Sequence, residues 1–196
     1  MSTTTSASQD VSREARGLAI LLLFAAYENL LYTLCRTLLE AAAKSRAKAS
    51  RLKPGIRLFL VHDELKSLMA SGRRKLWKSV GPRIVSILAE RPARELDMDL
   101  FPDDGSYMKS SQVAVFCEIF GFEHPGIALR EVWGHIDAIV DQRNGIAHGR
   151  LAPEEVGRNY TYNDLTKLMD QWEHRWLAFL DAVESHCMRS AFYLIK

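Results

Sequence analysis

Residues 141–150 read Asp-Gln-Arg-Asn-Gly-Ile-Ala-His-Gly-Arg, and they close a predicted helix that begins near Leu129. At about 100° per residue, the apolar residues of this helix form one stripe, and Arg143 lies in the middle of it. An unpaired charge on a buried face costs too much free energy, so Arg143 requires a carboxylate, a phosphate or a second chain. The stripe consists of Trp133, Ile136, Ile139, Val140, Ile146 and Ala147.

A separate stripe of the same helix is polar, and it ends in a histidine. His148 stands beside Gly149 at the end of the helix, where we expect its imidazole to meet the long Arg143 side chain. Imidazole titrates near neutral pH, whereas a guanidinium keeps its charge. The segment therefore offers the two kinds of group that RNA cleavage without a metal requires. The polar stripe contains Asp137, Asp141, Asn144 and His148.

A long apolar helix is predicted from about Val11 to about Ala49. One wide stripe of it is apolar, and in the first half most of the opposite side is apolar too. Such a pattern predicts burial on both sides, and in a chain of this size a second subunit is a natural cover for one of them. The stripe consists of Ile20, Leu21, Phe24, Tyr27, Leu31, Cys35, Leu38 and Leu39.

Glu28 is the only charged residue between Leu18 and Cys35, and it lies in the middle of the apolar stripe. A buried carboxylate requires a cation or several hydrogen-bond donors. We therefore expect Glu28 to hold Arg143, the other charge that is centred on an apolar face. The alternative is that Glu28 faces solvent or a local Lys or Arg.

The length of 196 residues predicts one helical domain over residues 11–196, after a disordered Ser- and Thr-rich tail at residues 1–10. Residues 1–93 carry 16 Lys and Arg against 7 Asp and Glu, and residues 94–196 carry 10 against 17. This asymmetry favours an anionic partner for the first half, or pairing of basic and acidic surfaces within the fold or between subunits.

Three scattered cysteines without CxxC spacing argue against a zinc site or a disulfide framework, and they favour a reducing cytoplasm. The apolar run from Leu18 to Tyr27 is shorter than the ~20 residues of a membrane span. We therefore interpret it as part of a buried helix and expect no membrane association.

Two basic clusters are candidates for RNA contact. One follows the first long helix, and the other is interleaved with Trp77; basic side chains around an aromatic ring can bind a single strand. Solvated faces, and a helix end that favours basic residues, are the alternatives. The candidate RNA-binding residues are Arg46, Lys48, Arg51, Lys53, Arg73, Arg74, Lys75 and Arg150.

The rest of the chain predicts further helices and no strand. Periodicity and capping predict a short helix at Pro82–Glu90, a Ser-capped helix at about Gln112–Phe120, and a final helix from near Tyr162 almost to the end. An acidic loop is predicted at about residues 94–105. The fold class is therefore all-α, a helical bundle with two long helices and several shorter ones. The sequence has no phosphate loop, zinc helix or nucleophile elbow.

The stretch Arg143-Asn144-Gly145-Ile146-Ala147-His148 resembles the Arg-polar-x-x-x-His motif of the HEPN superfamily. The wider pattern resembles its RiboL-PSP-type branch, which opens with an apolar helix that bears a central Glu, like residues 21–28 here. In that branch, a Ser-capped helix that ends in Gly precedes the motif, like residues 110–121. The resemblance extends from about Arg13 to the end of the chain.

The resemblance implies a metal-independent endoribonuclease without a cofactor, of the toxin or anti-viral defence kind. It implies that His148 acts as general base or acid, that Arg143 holds the scissile phosphate and that Asn144 orients the substrate or the imidazole, with Glu28 and Asp141 as supporting residues. The expected partners are RNA, a second copy of the chain that shares the cleft, and an antitoxin or defence-system protein. Two alternatives stay open: a non-catalytic HEPN module that binds RNA, nucleotide or a protein, and a structural bundle.

Overall fold

The computed structural model describes residues 3–44, 47–70, 75–188 and 192–194, with side chains from Ser12 onward. Within these ranges the chain forms α-helices, short 3-10 turns and one π-helical segment, and no strand longer than an isolated bridge. The all-α prediction is confirmed, and two of the helices are long, with 41 and 26 residues. The helices are α1 (Thr3–Ala43), α2 (Pro54–Met69), α3 (Gly81–Glu90), α4 (Ser110–Phe120), α5 (Trp133–Ala147), α6 (Pro153–Gly157) and α7 (Tyr162–Cys187).

Helix α1 differs from its prediction at both ends. It begins at Thr3 rather than near Val11, so its backbone includes most of the segment expected to be a disordered tail. It ends at Ala43 rather than near Ala49, because the next described residues pair elsewhere: the Ala49 amide donates to the Arg91 carbonyl oxygen. The predicted apolar stripe is buried at every position except Leu21, which is half-buried.

The opposite face of α1 is exposed. Leu18 is 43% and Leu22 is 72% exposed, although both belong to the most apolar part of the chain. The segment Ser12–Ala43 is long and apolar enough to cross a membrane by length and composition alone. Since the core helix of a soluble protein meets the same criterion, α1 is weak evidence for a membrane span.

The chain divides into two compact units, and each is discontinuous in sequence. The expectation of a single domain over residues 11–196 stays a prediction. Unit 1 consists of Met1–Leu31, Asp103–Ala114 and His124–Val183, and unit 2 of Tyr32–Pro102, Val115–Glu123 and Glu184–Lys196.

Aromatic side chains form the centre of unit 1. The Tyr27 ring on α1 lies 5.8 Å from the Trp172 ring and 5.2 Å from the Trp176 ring, both on α7, measured between centroids. Trp176 also contacts Phe179 edge to face. Large aromatic surfaces that exclude water in this way supply much of the free energy of folding.

Unit 2 has its own core. The Phe120 ring, near the end of α4, lies 4.9 Å from the Phe116 ring and 6.0 Å from the Phe59 ring of α2. Helix α2 was not predicted, because charged residues interrupt its apolar pattern. One of these, the buried Glu64, accepts a hydrogen bond from Arg83 at 3.0 Å, which offsets the cost of its burial.

Three further features of unit 1 were not predicted. Helix α5 begins at Trp133 rather than near Leu129, after a series of turns. The five-residue helix α6 occupies a segment for which no helix was predicted. Helix α4 begins at Ser110 rather than near Gln112, and the Ser110 amide donates to Asp137 on α5, at 2.7 Å.

Two glycines bring α1 and α6 into close contact within unit 1. A Cβ added at Gly17 would lie 1.9 Å from the Pro153 carbonyl oxygen, and one added at Gly157 would lie 1.9 Å from the Arg13 carbonyl oxygen. The Arg16 side chain closes the contact by donating to the Gly157 carbonyl oxygen at 3.1 Å. Backbones this close leave no room for a side chain, so both positions require glycine.

We expect Gly17→Ala to lower the free energy of unfolding by about 1–3 kcal/mol, because overpacking a rigid contact typically costs that much. Chemical denaturation followed by circular dichroism measures the change. The matched control is Gly134→Ala on α5, where an added Cβ meets nothing within 4 Å. If both variants unfold at the same denaturant concentration as the unmodified chain, the close contact does not exist.

Candidate functional site

The motif helix ends in a Schellman motif, the arrangement in which a left-handed glycine terminates a helix. Gly149 has a φ of +67°, and its amide donates to the Ile146 carbonyl oxygen at 3.0 Å. The Arg150 amide donates to the Gly145 carbonyl oxygen at 2.8 Å. These two bonds satisfy carbonyl groups that a helix end leaves unpaired, and they require a residue that tolerates positive φ. Gly149 therefore ends the helix directly after the motif and turns Arg150 back toward it.

An open cleft of about 380 Å³ lies beside this helix end. It exists in part because Gly145 has no side chain: an added Cβ would lie 2.6 Å from Cδ1 of Leu151. Three of the sequence-predicted residues, Asp141, Asn144 and Arg150, thus face one cavity of the size that ligands occupy. The lining residues are Asp141, Asn144, Gly145, Arg150 and Leu151.

Arg143 is half-buried and is held by aromatic rings. Its guanidinium carbon lies 4.8 Å from the centroid of the Phe24 ring and 5.6 Å from that of the Tyr107 ring. Such cation–π contacts stabilise a partly desolvated cation. Nη1 donates to Oδ1 of Asn144 at 3.1 Å, and no carboxylate of the described residues forms an ion pair with the guanidinium. Arg143 therefore keeps N–H donors for an anionic ligand.

Glu28 is half-buried and contacts Tyr107 instead of Arg143. Its carboxylate accepts a hydrogen bond from the Tyr107 hydroxyl. The expectation that Glu28 holds Arg143 directly is therefore wrong for this structure, which has no ion pair between them. Among the described residues, both charges contact Tyr107: its hydroxyl donates to Glu28 and its ring lies against Arg143.

Sequence reasoning missed Tyr107, and no sequence signal would have found it. It belongs to a polar loop without periodicity, and its φ of +38° is followed by a φ of +59° at Met108. Non-glycine residues in this region are strained and persist only where their surroundings hold them. Here the buried Tyr27 hydroxyl donates to the Met108 carbonyl oxygen at 2.6 Å, and the Met108 amide donates to the Gln112 side chain.

The two acidic residues of the polar stripe hold this loop. Asp141 accepts from Lys109 at 2.9 Å, and this hydrogen bond together with the charge raises the pKa of Lys109. Asp137 accepts from both the amide and the hydroxyl of Ser110, at 2.7 and 3.1 Å, so it caps the N-terminus of α4. Asp141 also lines the cleft. Its supporting role in RNA cleavage stays a prediction.

His148 is exposed at the helix C-cap. Its amide continues the helix by donating to the Asn144 carbonyl oxygen at 3.0 Å. Within the part of the chain that the structure describes, its imidazole forms no hydrogen bond, either with Arg143 or with any other residue. The ring is therefore accessible, and its orientation is not set by a neighbour within unit 1.

The predicted RNA-binding residues that the structure describes belong to both units. Arg46, Arg73 and Arg74 lie outside the described residues. Arg150 belongs to unit 1, and the other four belong to unit 2, whose sequence carries 17 Lys and Arg against 10 Asp and Glu. Trp77, in the π-helical segment Leu76–Val80, is 80% exposed in the same unit. The four are Lys48, Arg51, Lys53 and Lys75.

Other reactive groups of the described chain offer little chemistry. Burial raises the pKa of the Cys35 and Cys117 thiols to about 12, so neither supplies a thiolate nucleophile at neutral pH. No group of three or more His, Cys, Asp or Glu among the described residues is placed to hold a metal ion.

The family model of the HEPN_MAE_28990-like HEPN domains matches residues 1–190. Comparisons with curated proteins and with solved structures give no match. The match does not confirm the RiboL-PSP-type branch, which stays a prediction. HEPN modules are in general related to ribonucleases or nucleotide binding. Because the model covers nearly the whole sequence, the chain belongs to the HEPN_MAE_28990-like HEPN family.

Proposed function

We propose that the protein is a metal-independent endoribonuclease that cleaves RNA through attack by the 2′-hydroxyl, and that it acts as a toxin or an anti-viral defence effector. The observation that supports this most is the state of Arg143. Its guanidinium lies over two aromatic rings and forms no ion pair with a described carboxylate. The next residue in the sequence, Asn144, lines the open cleft. A guanidinium with available donors is suited to a phosphate, which it can bind at two oxygens.

The residues take the following roles in this reaction. His148 removes the proton of the 2′-hydroxyl or protonates the leaving 5′-oxygen; either role typically contributes about 10²–10⁴-fold. Arg143 stabilises charge on the scissile phosphate. Asn144 accepts a hydrogen bond from Arg143 and so orients the guanidinium. RNA supplies its own nucleophile, so the protein needs no covalent intermediate.

A non-catalytic HEPN module that binds RNA, nucleotide or a protein partner is the second candidate. The exposure of His148 favours it, because catalytic bases are usually oriented by a third group and this imidazole has no such partner within the described residues. Both candidates use the same cation and the same cleft. They differ in whether RNA is turned over.

We expect His148→Ala to reduce RNA cleavage by at least about 10²-fold without a change in melting temperature, since the side chain is exposed. Arg143→Ala should abolish cleavage too, and it should also lower the melting temperature because two ring contacts are lost. Gel assays with a labelled single-stranded RNA measure the rates. The control is His174→Ala, an exposed histidine on α7.

The products identify the chemistry. Attack by the 2′-hydroxyl leaves 2′,3′-cyclic phosphate and 5′-hydroxyl ends, and it leaves DNA intact. Cleavage should continue in excess chelator. Activity that disappears with chelator and returns with Mg²⁺ or Mn²⁺ would refute the proposed reaction, and full cleavage by folded His148→Ala protein would remove that residue from it. Tight RNA binding without turnover would support the second candidate.

We also propose that the active species is a homodimer. On the exposed face of α1, apolar residues recur every three or four positions, which is the spacing of helix–helix contacts. An uncovered apolar stripe of this kind favours a partner helix over water. A second protomer would bring a second histidine and arginine to one cleft, where general acid and general base steps each need a titratable group. In unit 1 the exposed apolar residues of this stripe are Ala15, Leu18, Leu22 and Ala25.

Light scattering should give about twice the 22.2 kDa mass of the chain. Leu22→Glu should produce a folded monomer that does not cleave RNA, because it places a charge on the proposed interface. Leu177→Glu is the control, at an exposed leucine of α7. Mixed Arg143→Ala and His148→Ala protomers should regain activity if each site takes its two residues from different chains. A monomer with undiminished activity per chain would overturn the shared cleft.

We propose further that the basic surface of unit 2 binds single-stranded RNA around Trp77. This ring is 80% exposed between Lys75 and Lys78, whereas Trp172 and Trp176 are buried. A base stacked on an aromatic ring is worth about 1–3 kcal/mol by alanine substitution.

Trp77→Ala should therefore weaken the binding of a single-stranded oligonucleotide by about 1–3 kcal/mol. RNA should quench tryptophan fluorescence in the unmodified chain but not in Trp77→Phe. The control is Tyr162→Ala, an exposed aromatic residue of unit 1. Quenching that persists in Trp77→Phe would place the RNA elsewhere.

A further inference from the structure

We infer that Tyr107 is a positioning residue that keeps the Arg143 guanidinium available for phosphate by holding the Glu28 carboxylate away from it. The inference rests on the proposed function only for its consequence in RNA cleavage. The arrangement itself is a property of three side chains in unit 1, and it can be tested without any turnover.

Glu28 and Arg143 carry opposite charges, and both are partly buried. Glu28 and Arg143 both contact Tyr107, so they approach one shared ring, yet they form no ion pair. Partly buried opposite charges at close range normally pair, since a carboxylate is the best fork partner of a guanidinium. Their separation therefore requires a competing partner for one of them. The Tyr107 hydroxyl is that partner, because it donates to the Glu28 carboxylate.

The position of the Tyr107 ring depends on the backbone of its loop. Tyr107 and Met108 both have positive φ, which places the ring against Arg143 at a cost in backbone strain. The strain is maintained by two contacts of Met108, one from the buried Tyr27 hydroxyl and one from Gln112. A tyrosine held this firmly keeps its hydroxyl directed at Glu28 whether or not a ligand is bound.

Loss of the Tyr107 hydroxyl would release the Glu28 carboxylate. In Tyr107→Phe the ring stays over Arg143, so the cation–π contact is retained, but Glu28 loses its donor. The Arg143 guanidinium contacts the same tyrosine and is a strong partner for the released carboxylate. Glu28 would then compete with phosphate for the same N–H donors, so Tyr107→Phe lowers anion affinity through Glu28 rather than through the fold.

The experiment is a cycle of Tyr107→Phe and Glu28→Gln, measured by the binding of a 2′-O-methyl RNA oligonucleotide, which cannot be cleaved. Tyr107→Phe alone should weaken binding about 10- to 100-fold, the factor that corresponds to a charge-assisted hydrogen bond. In the Glu28→Gln background the same substitution should change binding by less than about threefold, because a neutral amide does not compete for the cation. In the cleavage assay, the loss should be in KM rather than in kcat.

The control is Tyr160→Phe, which removes a tyrosine hydroxyl that donates to Gln142 of α5 at 2.9 Å and releases no carboxylate. It should leave oligonucleotide binding unchanged in both backgrounds. An equal loss for Tyr107→Phe with and without Glu28 would overturn the inference, since it would show that the hydroxyl acts through the fold.

A second readout separates this inference from the proposed function. The effects of Glu28→Gln and Arg143→Ala on melting temperature should be only weakly coupled in the unmodified chain, because the two charges share Tyr107 but do not pair. The coupling should become larger in the Tyr107→Phe background, where they do pair. If the chain cleaves no RNA but this increase appears, the ribonuclease proposal fails and the role of Tyr107 stands. The same coupling in both backgrounds would remove the role of Tyr107, whatever the activity.

Discussion

The buried hydrogen bond from the Tyr27 hydroxyl to the Met108 carbonyl oxygen, at 2.6 Å, is the constraint on which the candidate site depends. Burial and the nearby Asp137 charge raise the pKa of Tyr27, so the phenol stays protonated and remains a donor. The bond ties the loop before α4 to the central helix α1. Because the loop is fixed there, two residues persist in a strained conformation and Tyr107 contacts both Glu28 and Arg143.

The same loop decides how charge is distributed at the site. Its Lys109 pairs with Asp141, and its junction with α4 is capped by Asp137, so both acids of the motif helix are occupied. The remaining acid, Glu28, is occupied by a tyrosine. Arg143 is then left without a carboxylate partner among the described residues of the site. If the site binds an anion as we propose, it needs no excess of basic residues. It needs only that the nearby carboxylates have partners other than Arg143.

The family match shows a HEPN domain, and the structure has an open cleft beside the end of the helix that carries Arg143. Nucleotide or RNA binding requires the cation alone. Cleavage also requires His148 in a defined orientation, and unit 1 by itself does not supply one. Under our proposals a second protomer brings a second histidine and arginine to the cleft, and catalysis would then depend on assembly as well as on the fold of one chain.

The sequence by itself determined the helical class, the buried stripe of α1 and the glycine that ends the motif helix, because periodicity and capping depend on residues three to five apart. It also located Arg143 and Glu28 as misplaced charges, but it paired them with each other. Only the tertiary structure decided their partners, because Tyr107 reaches both from a loop that has no periodicity. Helix α6 was likewise invisible in the sequence, since five residues form a stable helix only through packing.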